Sequence, residues 1–336
     1  MAIADTITYD SYFRMPGKGP YLISVQIRRP ELPQVIDKHL TKAENLMKTA
    51  RIFGILLGMI LSTGVIKEVW AADPIPLDQL SHIHGIAVNP NDNTRLYVAT
   101  HHGLYLASPD GTAVAVSASQ DDLMGFSPHP TKPDTLYASG HPAGGGNLGF
   151  ITSTDGGKTW KQLSPGTRGP ADFHAMAVSK ADPKVIYGAY GRLQVSRDGG
   201  HTWEPWERLA PLPDGLIALA ASATDVNTLY AATQGGLLVS KDAGHSWQPA
   251  YPAQQPASLV ATGNDGEIYA FIVGIGLLKS KDGHWTRLAS DFGGRYLLYL
   301  AVDPQDSNEL YAVTQDGQIL ASDNGGRHWR PFGPAD

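Results

Sequence analysis

An all-β protein built from six copies of one four-stranded unit is what the sequence predicts, on three observations. The chain has 336 residues with 37 glycines, 24 prolines and only 17% charged side chains, and nearly every apolar run is short and ends at Gly, Pro, Asn or Asp. A polar segment ending in tryptophan returns as "STDGGKTW" (153–160), "SRDGGHTW" (196–203), "SKDAGHSW" (240–247), "SKDGHW" (280–285) and "SDNGGRHW" (322–329), with spacings of 43, 44, 38 and 44 between tryptophans and a worn copy, "SPDGTA", from Ser108. Each copy follows an apolar run of one type: "LYVAT", "LYASG", "IYGAY", "LYAAT", "IYAFI" or "LYAVT". Periods of this size that hold several short strands indicate propeller blades, so 72–336 is expected to form a six-bladed β-propeller.

The segment before the repeats reads differently. From Met47 the chain runs "MKTARIFGILLGMILSTGVIKEVWAADP": Lys48 and Arg51, an apolar run from Ile52 to Val65, then Val69 and Ala71 at the two positions a signal peptidase reads. Residues 47–71 are therefore expected to be a signal peptide cleaved after Ala71, which sends the propeller to the periplasm or beyond. Residues 1–46 are then an upstream extension from a misassigned start. The apolar run is shorter than the roughly 20 residues of a spanning helix, so no permanent membrane anchor is expected. There is no cysteine, which excludes disulfides, thiolate chemistry and a lipoprotein anchor. The residues after Ala71 carry 17 basic and 26 acidic side chains, a formal charge of −9, and a nucleic-acid partner is not expected.

The repeated segment has a mechanical reading. Ser and Asp side chains bond backbone N–H groups of their own turn, Gly supplies positive φ, and Trp supplies a large apolar plate for the neighbouring core. These segments resemble the Asp-box, or BNR, repeat of the sialidase-like superfamily, which includes sialidases, sortilin-type receptors, photosystem assembly factors and exported proteins described as glycosyl-hydrolase-like. The resemblance covers 82–332. It implies a blade of four meandering strands, with the Asp-box turns on one face of the ring. The resemblance also implies a functional site on the other face, at the turns before the first strand and after the second.

Aligning the blades on Tyr97, Tyr137, Tyr187, Tyr230 and Tyr311 places His84, Met124, His174, Ile217 and Leu298 at one depth of the inner strands. Two residues outward stand His82, Asp122, Asp172, Gly215 and Tyr296. Four residues after each tyrosine stand His101, His141, Gly191, Gln234 and Gln315, with His102 next to His101. Blade five is shorter and has no place in this register. Six of the eleven histidines after Ala71 thus fall on one face of three consecutive blades, while His129, His201, His245, His284 and His328 fall in turns on the opposite face. Equivalent positions of adjacent blades converge on the central channel. His84, His174 and Met124, supported by His82, His101, His102 and His141, are therefore expected to hold a transition-metal ion. Imidazole with a thioether suits copper, with zinc second.

An enzyme is the alternative. The resemblance to sialidases implies an arginine cluster, a tyrosine nucleophile with its glutamate, and an acidic acid/base residue. Arg168, Arg192, Arg295, Tyr190 and Tyr296 fall on the functional face, as do Asp121, Asp122, Asp172, Asp214 and Asp291, but Glu204, Glu207, Glu267 and Glu309 map elsewhere. "YFRMPG" (12–17) resembles the sialidase motif whose arginine binds the substrate carboxylate, yet it precedes the export signal, so no role is expected for Arg14. Asp122 and Asp172, at equivalent places on neighbouring strands, are the candidate acid and base of an inverting glycoside hydrolase, which needs carboxyls roughly 6.5–9.5 Å apart. A third class, a non-catalytic assembly or receptor propeller, needs only a patterned surface. The ligand is thus expected to be a metal ion or a glycan.

Overall fold

The computed structural model describes residues 7–13, 21–27 and 72–334. The expected signal peptide, 47–71, and Arg14 lie outside the described residues. Ile7–Phe13 and Tyr21–Ile27 form an antiparallel pair with Ile7 opposite Ile27.

From residue 72 onward the chain forms six consecutive antiparallel meanders. Blade one comprises Ile83–Val88, Leu96–Thr100, Gly103–Ala107 and Thr112–Ala115, with Ile75–Pro76 added to its outer edge. Blade two is Asp122–Pro128, Leu136–His141, Phe150–Ser153 and Lys161–Ser164, and blade three Ala175–Val178, Ile186–Tyr190 and Arg192–Ser196. Blade four is Leu216–Ala221, Leu229–Thr233, Gly236–Ser240 and Gln248–Pro249. Blade five is Ala257–Thr262, Ile268–Ile272, Gly276–Lys281 and His284–Ala289, and blade six Leu297–Val302, Leu310–Thr314, Ile319–Ser322 and Arg330–Pro331. Among the described residues no helix is long and apolar enough to cross a membrane.

The second strands are apolar on both faces because each blade is sandwiched between two others. All five residues of Leu96–Thr100, Ile268–Ile272 and Leu310–Thr314 are buried. Between consecutive blades lies one apolar layer, and the box tryptophans enter these layers in order. Trp160 packs between blades one and two, Trp203 between two and three, Trp247, Trp285 and Trp329 in the next three. The sixth layer joins blades six and one without a tryptophan. Phe332 fills it, edge-on to Tyr311 with ring centroids 5.6 Å apart, beside Ile75, Leu77 and Leu80. Blades six and one share no strand, so this seam is closed by side-chain packing.

The Asp boxes fasten turns as their residues predict. In blade three, Ser196 Oγ donates to Asp198 Oδ1 (2.9 Å) and accepts from Gly200 N (2.8 Å), while Thr202 N and Oγ1 both donate to Asp198. The same bonds recur from Ser153 and Ser240, and Asn324 takes the carboxylate's place in blade six. "SKDGHW" departs from this pattern. With two residues deleted, Asp282 and Gly283, both at positive φ, form a tight hairpin turn between Lys281 and His284. Two further expectations need correcting. Blade five does fit the register, with Tyr269 opposite Ala261, which places Ser258 level with His84. Blade three has no regular fourth strand, only an isolated bridge from Leu193 to Ala210, because Pro205, Pro211 and Pro213 cannot supply ladder N–H groups.

A bulge interrupts most inner strands near the functional face. His84, Ile217, Ser258 and Leu298 are the unpaired extra residues in blades one, four, five and six. In blade two the irregularity falls at Gly125 and Phe126 instead. Bulges re-aim side chains, and here they break the simple alternation that the strand pattern implies.

Candidate metal centre

The histidines of the functional face gather on two aspartates. Asp122 opens the inner strand of blade two, opposite His141, yet its carboxylate reaches back to blade one. His84 Nδ1 lies 2.9 Å from Asp122 Oδ1, and His101 Nδ1 lies 2.8 Å from Oδ2. One joint along the ring the pattern repeats. His141 Nε2 of blade two lies 3.0 Å from Asp172 Oδ2 of blade three, and His174 Nε2 lies 2.5 Å from the same oxygen. In each triad the three residues offer donor atoms within 4.8 Å of one another.

Both aspartates are buried, at 9% and 7% exposure, and a buried carboxylate is costly unless charged or hydrogen-bonding groups surround it. The imidazoles do so only in part. His84 Nδ1, Asp122 Oδ1 and Asp172 Oδ1 are buried without an aligned hydrogen-bond partner. His84 Nδ1 and Asp122 Oδ1 thus lie 2.9 Å apart, buried and poorly aligned for a hydrogen bond.

The local chain is shaped for this placement. His82 has φ +50°, which is rare for a residue with a side chain and is stored strain next to the bulge at His84. His82 and His84 flank the His101 ring at centroid distances of 5.8 and 5.9 Å, and the His102 ring stands 5.3 Å from it on the exposed rim. Gly140 is required where blade two turns at the face: a Cβ there meets the backbone oxygen of Asp122 at 2.0 Å. Ser139, fully buried, accepts from Phe173 N (2.9 Å) and donates to Ala171 O (3.2 Å), so one hydroxyl clips both neighbours of Asp172.

The electrostatics separate the two triads while linking them. Burial, the largest influence, pulls the His84 imidazole below its ordinary value against the opposing pull of Asp122, with His101 and His174 lowering it further. The hydrogen bond to Asp172 raises His174 above its ordinary value against its own burial, and the Asp172 and Asp122 charges add to the rise. Tyr299 of blade six is pushed up to about 12, first by burial and then by the charge of Asp122.

The expected ligands thus divide between two joints. His84 and His101 meet Asp122, His141 and His174 meet Asp172, and His82 and His102 surround His101. Met124 is half-buried, two residues along the strand from Asp122 and opposite Ser139. The triads themselves are nitrogen and oxygen sites. On the far face, His129 Nδ1 accepts from Thr131 N (3.1 Å), and His201, His245, His284 and His328 are exposed. Ser139 and Tyr299 escaped the sequence reading, although each was visible as an exception. Ser139 stands where Ala99, Ala189 and Ala232 stand in other blades, and Tyr299 where Gly85, Gly125, Ala175 and Ala218 stand.

The arginines expected of a sialidase are engaged separately. Arg168 and Arg192 stack on Trp206 at 4.4 and 5.5 Å, Arg192 also donates to Leu209 O, and Arg295 bonds Phe292 O and the Gln318 side chain. Asp121 accepts from Ser119 Oγ and Ala143 N, and Asp291 from Gly293 N.

The BNR/Asp-box repeat family model matches residues 151–162. No curated protein matches the chain. Among solved structures, a GH74 xyloglucanase from Xanthomonas campestris is similar at 20% identity and TM-score 0.52, over 77% of this chain and 46% of that one. A GH74 enzyme from Niastella koreensis is similar at 18% identity and TM-score 0.53, over 74% and 45%. A nidogen/laminin complex is similar at 11% identity and TM-score 0.51, over 71% and 93%. The chain spans under half the length of the two GH74 proteins, and at these identities the likeness is one of fold. Its six meanders and boxed turns make this chain a six-bladed β-propeller that carries a BNR/Asp-box repeat at 151–162.

Proposed function

We propose that this propeller is an exported binder of a transition-metal ion, held at the funnel by His84, His101 and Asp122. The observation that carries the reading is the buried pair of donor atoms, His84 Nδ1 and Asp122 Oδ1, both without an aligned partner, with His101 on the second carboxylate oxygen. Two imidazoles and a carboxylate suit borderline divalent ions, and Cu(II) binds such a set more tightly than Zn(II). Tetrahedral zinc with bonds of about 2.0–2.2 Å sets its donors roughly 3.3–3.5 Å apart. The present 2.8–2.9 Å contacts need to open by about half an ångström to reach that spacing. Burial keeps the His84 imidazole neutral near pH 7, the form that binds metal.

The hydrolytic alternative assigns acid and base roles to Asp122 and Asp172. Each is instead held between two imidazoles, which supports coordination over proton transfer to a glycan. Competition titrations with Cu(II) and Zn(II) test the proposal. His84→Ala and His101→Ala should each weaken binding, and His245→Ala on the far face should not. Equal affinity in all three variants and the unaltered protein overturns it.

A further inference from the structure

We infer that the funnel holds two ions, one in the joint between blades one and two and a second in the joint between blades two and three. This inference rests on the metal reading above. The two triads share no residue: each has its own buried aspartate, and each aspartate keeps one buried oxygen, Oδ1, with no aligned partner. One ion cannot satisfy both, because Asp122 is committed to the histidines of blade one and Asp172 to those of blades two and three.

The repetition follows from the register. Blade one lends His101 to the aspartate of the next blade, and blade two lends its equivalent, His141, to the aspartate of the blade after. The other ligand differs. Met124 stands in blade two where His84 stands in blade one, so the second joint takes its remaining imidazole from His174, two residues after Asp172. The second joint lacks a buried imidazole: the His141 and His174 side chains are 40% and 62% exposed, whereas the first joint pairs His101 at 52% with His84 at 17%. A more solvated, less constrained set of ligands binds more weakly, and the second ion is expected to bind roughly tenfold less tightly than the first.

The test is ion stoichiometry in the full chain with Cu(II) and Zn(II), by calorimetry and by elemental analysis after dialysis. Two ions per chain are expected. His101→Ala should keep one, the weaker, His141→Ala should keep the other, the tighter, and the double variant none. Both side chains are about half exposed, so folding is not at stake, and a thermal melt of the metal-free proteins verifies this. With Cu(II), the doubly loaded protein should show a broadened, dipole-coupled paramagnetic resonance spectrum and each single variant a sharp one. One ion per chain, lost in both single variants, overturns the two-ion arrangement and leaves a single shared site. No ion bound to the unaltered protein overturns the metal reading itself.

Discussion

Asp122→Asn is the most informative single change at the funnel, because it keeps the volume and removes the charge. The carboxylate now takes a contact from His101 at 2.8 Å and faces His84 at 2.9 Å without alignment. A hydrogen bond to a charged group is worth about 1.5–3 kcal/mol and a neutral one about 0.5–1.5. An amide oxygen can still accept from His101, half of which is in water, and the misaligned His84 contact contributes little. The metal-free variant should therefore lose only about 1 kcal/mol, a melting shift of roughly 2–4 °C in a domain of this size. Metal affinity should suffer far more. Exchanging an anionic oxygen ligand for a neutral amide should weaken Zn(II) by about 100-fold, or about 2.7 kcal/mol. A chromophoric chelator in competition with the protein reads this directly, with the melt of the metal-free protein as control. Affinity within threefold of the unaltered protein, with the expected small melting shift, would refute the assignment of Asp122 as a ligand.

Ser196→Ala should cost about 1–3 kcal/mol in urea unfolding, because the buried Gly200 N–H loses its acceptor and Asp198 one of its donors. Gly188→Ala places a methyl 2.5–2.7 Å from the Phe173 ring, which is fully buried against Trp203 at 4.9 Å, and should destabilise by about 1–3 kcal/mol; pairing it with Phe173→Leu should recover part of that loss. The two perturbed histidines should act oppositely on stability. His84, lowered on folding, contributes above its unfolded value near 6.5, and that contribution is lost as pH falls through its folded value. His174, raised on folding, contributes below about 6.5 and is lost as pH rises through its folded value. An NMR titration of the imidazole protons should place His84 below and His174 above 6.5, and the reverse order contradicts the arrangement on Asp122 and Asp172.

The blades were legible because each signal is local. A box turn is closed by bonds among residues no more than four apart, and its tryptophan enters the layer beside its own hairpin, so a repeat in the chain becomes a repeat in space. Where the signal depended on a deletion it misled: "SKDGHW" keeps the box residues but lacks the length, and folds as a two-residue hairpin. At the funnel, alignment placed on one face the four histidines and two aspartates that gather in the triads, but it grouped His84, Met124 and His174 at one depth, whereas His84 and His174 fall in separate triads. It could not say which imidazole meets which carboxylate. That depends on the bulge at His84, on the displaced irregularity at Gly125 and on the reach of each side chain across a joint, none of which has a counterpart in residue spacing. Ser139 was hidden for a related reason: its partners, Ala171 and Phe173, belong to the next blade.

The two triads belong to joints and not to blades. Duplication copies whole repeats, so it multiplies strands, boxes and tryptophans but cannot by itself make a binding centre here. That requires two neighbouring copies to diverge in complementary ways, one carrying a histidine at the mouth of its second strand and the next an aspartate at or just before the start of its first. The unit that makes a triad in this ring is therefore a pair of successive blades. Inserting one blade between one and two would part Asp122 from both His84 and His101, and between two and three would part Asp172 from His141 alone, leaving every repeat intact.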